Sequence, residues 1–269
     1  MQVYKEFSIL SSRPSKIDEK KIRHHLYGFL SVKNHFSVGQ WIILAKNKVN
    51  HCIKNRKIPI FVGGTGLYFN AITRGISKIP QIDDKIRKRV RELQKKIGQE
   101  KFYKELTLLD PKSKNKILAT DTHRSLRAYE VKLFTKRSLF DWATNTKSEF
   151  LDYDIKKCFI DVPREILLKN IEKRTNQMFK TNCVNEVKNF IKLNIDKDLS
   201  PNKIIGVKEI SDYLSGFNSK KEVVELINIK TRQYAKRQNT WSRGHMSSWN
   251  KLYSKDYSTL LKKILKAIS

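Results

Sequence analysis

Apolar residues between positions 38 and 55 fall at helical spacing. Trp41, Ile42, Ala45, Val49 and Ile53 share one face, which predicts an amphipathic helix. The next apolar stretch is different in kind. Residues 58–62 form a short continuous run, followed at once by Gly63-Gly64-Thr65-Gly66 and then by a helical pattern. That order predicts a buried strand, a tight turn and a helix start, the unit of a parallel α/β sheet. The idea returns at residues 157–174. Residues 158–162 read as a short strand, Pro163 opens the next element, and Ile166, Leu167, Asn170 and Ile171 fall on one helical face. Between these units the character changes. Residues 83–140 are rich in Lys, Arg and Glu with an apolar period near that of a helix, and Asp110-Pro111 marks a break. The tail, roughly 220–246, reads as a basic helix. The pattern predicts a discontinuous α/β core of residues 1–80 and 150–269, with a helical insertion at 81–149.

Composition supports one globular protein. The chain has 269 residues, 39% hydrophobic, with thirteen Phe, ten Tyr and four Trp, enough to build a core. No stretch approaches the roughly 18 apolar residues of a membrane span, and Met1-Gln-Val-Tyr-Lys-Glu has no apolar run of a signal peptide. The cytoplasm and a monomeric chain are the expectation. Cys52, Cys158 and Cys183 lack metal-ligand spacing and read as reduced, structural thiols. His24 and His25 have no partner at ligand spacing and read as packing residues, as do Trp41, Trp142 and Trp241. The formal net charge of +30 points to a polyanion, nucleic acid or an anionic surface, although the abundance of Lys, Ile and Asn also fits a coding bias.

Glycines at 63, 64 and 66, after a strand and before a helix, allow close approach of a phosphate or of a partner strand. The spacing is neither G-x-x-x-x-G-K-[ST] nor G-x-G-x-x-G, so a structural turn and a ligand loop both stay open. Val62-Gly-Gly-Thr-Gly-Leu-Tyr68 resembles the VGGTGLY element of the tRNA dimethylallyltransferases. Met1-Gln2-Val3-Tyr4 resembles the end of that family's DSMQVY, and His24-His25-Leu26 its HHL. Asp121-Thr-His-Arg124-Ser-Leu-Arg127-Ala-Tyr-Glu130-Val131 resembles D-x-x-R-x-x-R-A-x-E-V. Thr231-Arg-Gln-Tyr-Ala-Lys236-Arg237-Gln238-Asn-Thr240-Trp241 resembles TRRxAKRQxTW, and Arg174-Thr-Asn-Gln177-Met178 a sixth, shorter motif. The six stand in family order over residues 1 to about 250.

The resemblance implies a P-loop-NTPase-like parallel sheet with a helical insertion. It implies transfer of the dimethylallyl group of dimethylallyl diphosphate to N6 of adenine 37, beside the tRNA anticodon, with Mg²⁺. Such chemistry extrudes the base, neutralises the departing diphosphate and removes the amine proton. By resemblance Arg174 contacts the diphosphate, as the catalytic residue. Met1, Gln2, Thr65, Arg87, His123, Arg124, Arg127, Lys208, Lys236, Arg237 and Gln238 are expected on the tRNA anticodon stem-loop. Arg124 and Arg127, three apart, share a helical face that suits phosphates or an ion pair with Glu130. Lys236, Arg237 and Gln238 are expected to form one basic, amide-bearing face.

The departures from the pattern are specific. The family's GPTASGKS-type loop, and the Asp-Ser that precedes MQVY and supplies the general base, have no counterpart among the 269 residues, so the first strand and P-loop of the sheet are expected to be missing. The expectation is a longer protein in the cell, or a fragment, rather than a working short form. The family's TAKP reads Ser11-Ser12-Arg13-Pro14, and its G-Y-[RK]-E reads Gly206-Val207-Lys208-Glu209. Three functions compete: the transferase, a catalytically dead module that grips the anticodon arm, and a P-loop kinase of small molecules. The missing Walker loop and the presence of the arginine and AKRQ segments speak against the kinase.

Overall fold

The computed structural model describes residues 1–144, 146–197 and 199–268. It divides into two compact units, one of residues 1–66 and 153–269, the other of residues 67–152. Asn145, within the expected insertion, lies outside the described residues.

The first unit begins with a looped segment tied to itself. Leu30 N donates to Val3 O and Lys5 N to Leu30 O, around an isolated parallel bridge between Tyr4 and Leu30. Helix α1 (Lys16–Lys21) and helix α2 (Val38–Lys54) each start with a capping box, Ser15 with Asp18 and Ser37 with Gln40, which satisfies the free amides of their first turns. Helix α2 buries Trp41, Ile42, Ala45, Val49 and Cys52, the predicted face with Cys52 in place of Ile53. Helix α3 (Gly66–Thr73) starts where the glycine turn ends and runs into the second unit.

The second unit is helical. Helix α4 (Asp84–Leu109) is capped by Asp83 and broken at Gly98, whose φ of 78° only glycine adopts without strain. Helix α5 (Thr122–Thr135) is capped by Asp121, and α6 (Leu139–Ala143) by Ser138. The break expected at Asp110-Pro111 is a structural joint. Asp110 is buried, and its carboxylate accepts from Ser113 Oγ at 3.2 Å and Ser138 Oγ at 2.7 Å. Leu106, Ile117 and Ala128 pack at the centre with Tyr103, Tyr129, Leu139 and Phe140 around them. The unit starts at 67 rather than 81 because α3 belongs to it: Ile72 O accepts from Ser148 Oγ, and Gly75 lies against the Lys147 carbonyl, where no Cβ would fit.

The chain returns to the first unit at strand β1 (Cys158–Asp161), which pairs in parallel with β2 (Asn250–Tyr253), Cys158 opposite Asn250. Between them run α7 (Arg164–Lys180), α8 (Cys183–Ile191), α9 (Val207–Leu214) and α10 (Lys220–His245), and α11 (Tyr257–Ile268) follows β2. Phe7, Val187, Phe190, Ile210, Val223 and Ile227 are buried at the centre, with the Phe7 and Phe190 rings 4.8 Å apart.

The buried strand expected at 58–62 does not form. Residues 58–62 lie in no strand, and Ile58, Ile60 and Val62 are 85%, 67% and 75% exposed. A run of β-formers becomes a strand only when a neighbour takes its backbone groups. Among the described residues the only ladder is β1–β2.

Candidate active site and basic faces

In the first unit Gln2 and Arg174 converge on Ser12. Arg174 projects from the third turn of α7. Its Nε donates to Ser12 Oγ and one terminal nitrogen donates to Leu10 O at 2.7 Å. Gln2 Nε2 donates to Ser12 O at 2.9 Å, and Gln2 O accepts from Gly28 N. Ser12 itself sits at φ 52°, a left-handed conformation that a non-glycine residue holds only when its surroundings fix it. Two of the five guanidinium donors of Arg174 are thereby spent on the protein, leaving the rest for an anion. Burial pushes the Arg174 pKa below its usual value, so its surroundings favour a counter-charge.

The opposite side of the same loop is held by a residue that the motifs do not contain. Glu186 on α8 accepts three successive backbone amides, Ser8 N at 2.6 Å, Ile9 N at 2.8 Å and Leu10 N at 2.9 Å, and also Ser8 Oγ at 3.1 Å. Successive amides turned to one point form an anion nest, here filled by an internal carboxylate. A cleft of about 470 Å³ opens beside it, lined by Asn182, Asn185, Asn189 and Phe190 among others.

The glycine turn rests on α10. Gly64 O accepts from Gln238 Nε2 at 2.8 Å, and a Cβ on Gly66 would enter the Trp241 ring. The close approach that these glycines permit is therefore to a helix of the same unit. Thr65 is exposed beside it. Lys236 and Arg237 are exposed, Arg237 lying over the Tyr234 ring at 5.7 Å, while Gln238 turns to the glycine turn. The three do not share one face, because successive helical residues point about 100° apart. Lys208 is exposed and paired with Asp212 at 2.6 Å, which raises its pKa. Met1 is 48% exposed.

In the second unit the two arginines of the R-x-x-R motif part company. Arg124 is exposed and pairs with Asp121 at 3.5 Å, and His123 is exposed beside it. Arg127 is half-buried and pairs with the buried Glu130 at 4.0 Å. Arg87, from α4, joins it, with its NH1 3.7 Å from Asp84 and its Nε buried without a hydrogen-bond partner among the described residues. Burial lowers the Arg127 pKa and raises that of Glu130, which Arg91, Arg127 and Arg87 pull back.

The cysteines are free, Cys52 and Cys183 buried; burial, helped by Glu186, pushes the Cys183 thiol up to about 11. Among the described residues no three His, Cys, Asp or Glu side chains gather as a metal site, and the carboxylate of Glu186 is taken up by amides. Mg²⁺ in phosphate chemistry is held mainly by the substrate's own phosphates with one or two carboxylates, and no step is routed through it. Sequence motifs led to Gln2, Arg174, Arg87 and Arg127. They did not lead to Ser12 as the meeting point, to Glu186 or to Arg91, whose partners lie on other elements.

Residues 2–245 match the IPP transferase family. The chain is 50% identical over 267 residues to the tRNA dimethylallyltransferase of Pelagibacter ubique, covering 99% of this chain and 85% of that one. It is 38% identical over 272 residues to the enzyme of the same name from Rickettsia massiliae, covering 75% of it. Among solved structures it is similar to the tRNA isopentenylpyrophosphate transferase of Staphylococcus epidermidis, with TM-score 0.66 at 26% identity, over 100% of this chain and 87% of that one. The class is therefore that of prenyl-transferring enzymes with a P-loop-like fold. Within it, the chain belongs to the IPP transferase family. No helix among the described residues is long and apolar enough to cross a membrane.

Proposed function

We propose that this chain carries the tRNA-gripping and diphosphate-facing parts of a tRNA dimethylallyltransferase. In that reaction a bond forms between C1 of the dimethylallyl group and N6 of adenine 37. The C1–O bond to diphosphate breaks, the diphosphate leaves with the electron pair, and the amine gives up a proton. The reading rests most on one observation: Gln2, Ser12 and Arg174, 162 residues apart at the extremes of the Ser12–Arg174 pair, meet at one loop. Arg174 takes the diphosphate with its unspent donors, and Gln2 lies on the same loop to meet the adenine. Met1 and Thr65, with Lys208, Lys236, Arg237 and Gln238, serve the RNA from the first unit; Arg87, His123, Arg124 and Arg127 serve it from the second. The protein acts in the cytoplasm as a monomer, with Mg²⁺ as the expected cation.

The competing reading is a module that binds the anticodon arm without transfer. Both readings require RNA binding. An anisotropy titration with an anticodon stem-loop should show affinity falling steeply with salt, as phosphate contacts release counterions. Arg127→Ala should weaken binding more than Lys20→Ala. Equal effects would mean that the charge acts diffusely and would remove the Arg127 cluster from the site.

A further inference from the structure

Three guanidiniums of the helical unit act on one buried carboxylate, Glu130. Arg87 and Arg91 stand four residues apart on α4, one turn above the other on one face. Arg127 and Glu130 stand three apart on α5. Arg91, Arg127 and Arg87 each pull the Glu130 carboxylate toward its charged form, Arg91 most strongly. Yet its one ion pair among the described residues, with Arg127, is 4.0 Å long, and Arg87 reaches Asp84 only at 3.7 Å. Both distances exceed a hydrogen bond. The Nε of Arg87 is buried with no acceptor among the described residues. A buried donor left unmade costs free energy that an arriving acceptor recovers. Three cations face two carboxylates, and the donors of Arg87 and Arg127 are already partly stripped of water.

We infer that Arg91 joins Arg87 and Arg127 in one cradle for an RNA backbone phosphate, with Glu130 buried behind it to hold the guanidiniums in place. Planar guanidinium forks match phosphate oxygens two at a time, which a lysine at position 91 would not do. Arg91 stands outside every motif that relates the chain to its family, and its role is assigned by the side chains around Glu130. The inference rests on the RNA-binding reading above and deepens it by naming the phosphate as the group taken.

The test is anisotropy of the full chain with a labelled anticodon stem-loop, at salt concentrations from about 50 to 200 mM. Arg91→Ala should weaken binding several-fold at the lowest salt and reduce the slope of log affinity against log salt by about 1, the loss of one phosphate contact. Arg91→Lys should restore the slope but only part of the affinity. Arg89→Ala, on the other side of α4, removes the same charge and should leave the slope within error of wild type. Circular dichroism confirms that each exposed-residue variant folds. If Arg91→Ala and Arg89→Ala act alike while Arg127→Ala reduces the slope, the cradle does not include Arg91. If inorganic diphosphate displaces the RNA from wild type and not from Arg91→Ala, the cradle takes the small diphosphate and the RNA assignment is overturned. If wild type shows no salt-dependent stem-loop binding at all, the parent reading fails as well, a result distinct from failure of Arg91 alone.

Discussion

Glu186 illustrates what single residues contribute here. A carboxylate that accepts three backbone amides of one loop fixes the turn that carries Leu10 and Ser12, the two acceptors of Arg174. Charge-assisted bonds to backbone amides are among the stronger ones, and amides left without an acceptor cost more than the bond was worth. Glu186→Ala should lower unfolding stability by about 1–3 kcal/mol, with Glu186→Gln between it and wild type, measured by urea unfolding. A loss under a few tenths of a kcal/mol would mean water serves those amides equally well. Nothing local in the sequence marks this residue, because its partners lie 176 to 178 positions away. Arg174 was legible, since a family motif carries it, but its anchoring to Ser12 was not. Side chains that act through distant loops leave no periodic trace.

Elements were legible where their signals were local. The face of α2, the boundaries of α10 and the helical character of residues 83–140 follow from apolar period and capping residues, whereas α7 buries Ile171, Thr175 and Met178 rather than the face read at 166–171. The extended run at 58–62 was not, because strand formation depends on a neighbour elsewhere in the chain. Nor was the bond from Gln238 to Gly64, which depends on where the glycine turn docks. A pH experiment probes an element directly. Asp256 stands before α11, accepting Thr259 N and Ser258 Oγ, each at 2.8 Å, and these bonds hold its pKa down to about 2 from an ordinary 3.8. A depressed carboxylate stabilises the fold above its unfolded pKa and loses that effect as pH falls through its folded one. Carbon-13 shifts of residues 257–268 should therefore report helix at pH 4 and fraying of the first turn as pH drops toward 2. In Asp256→Asn the first turn should show no such transition. A transition of equal size in that variant would place the titrating group elsewhere.

At the scale of the molecule, a net charge of +30 attracts polyanions, and the proposed reading has the arranged arginines decide where RNA is held. Charge was legible from composition alone; the sorting of Arg124 from Arg127 needed the helices. Chemistry asks for more than binding. Preorganised donors to a leaving group are worth roughly 10²–10³ in rate each, and a general base typically 10²–10⁴. In the proposed reading Arg174 supplies one such charge, and the family's Walker loop and its Asp are not among residues 1–269. The most direct measurement is the mass gained by adenine 37 of an unmodified tRNA incubated with dimethylallyl diphosphate and Mg²⁺. Residues 1–269 alone should give no transfer above background. The same residues joined behind a strand and Walker-loop segment from a family member should transfer the group, and Arg174→Ala in that longer chain should cut the rate. Transfer by residues 1–269 alone at about one per second would contradict the account, because the base and phosphate donors would then lie among residues assigned here to structure.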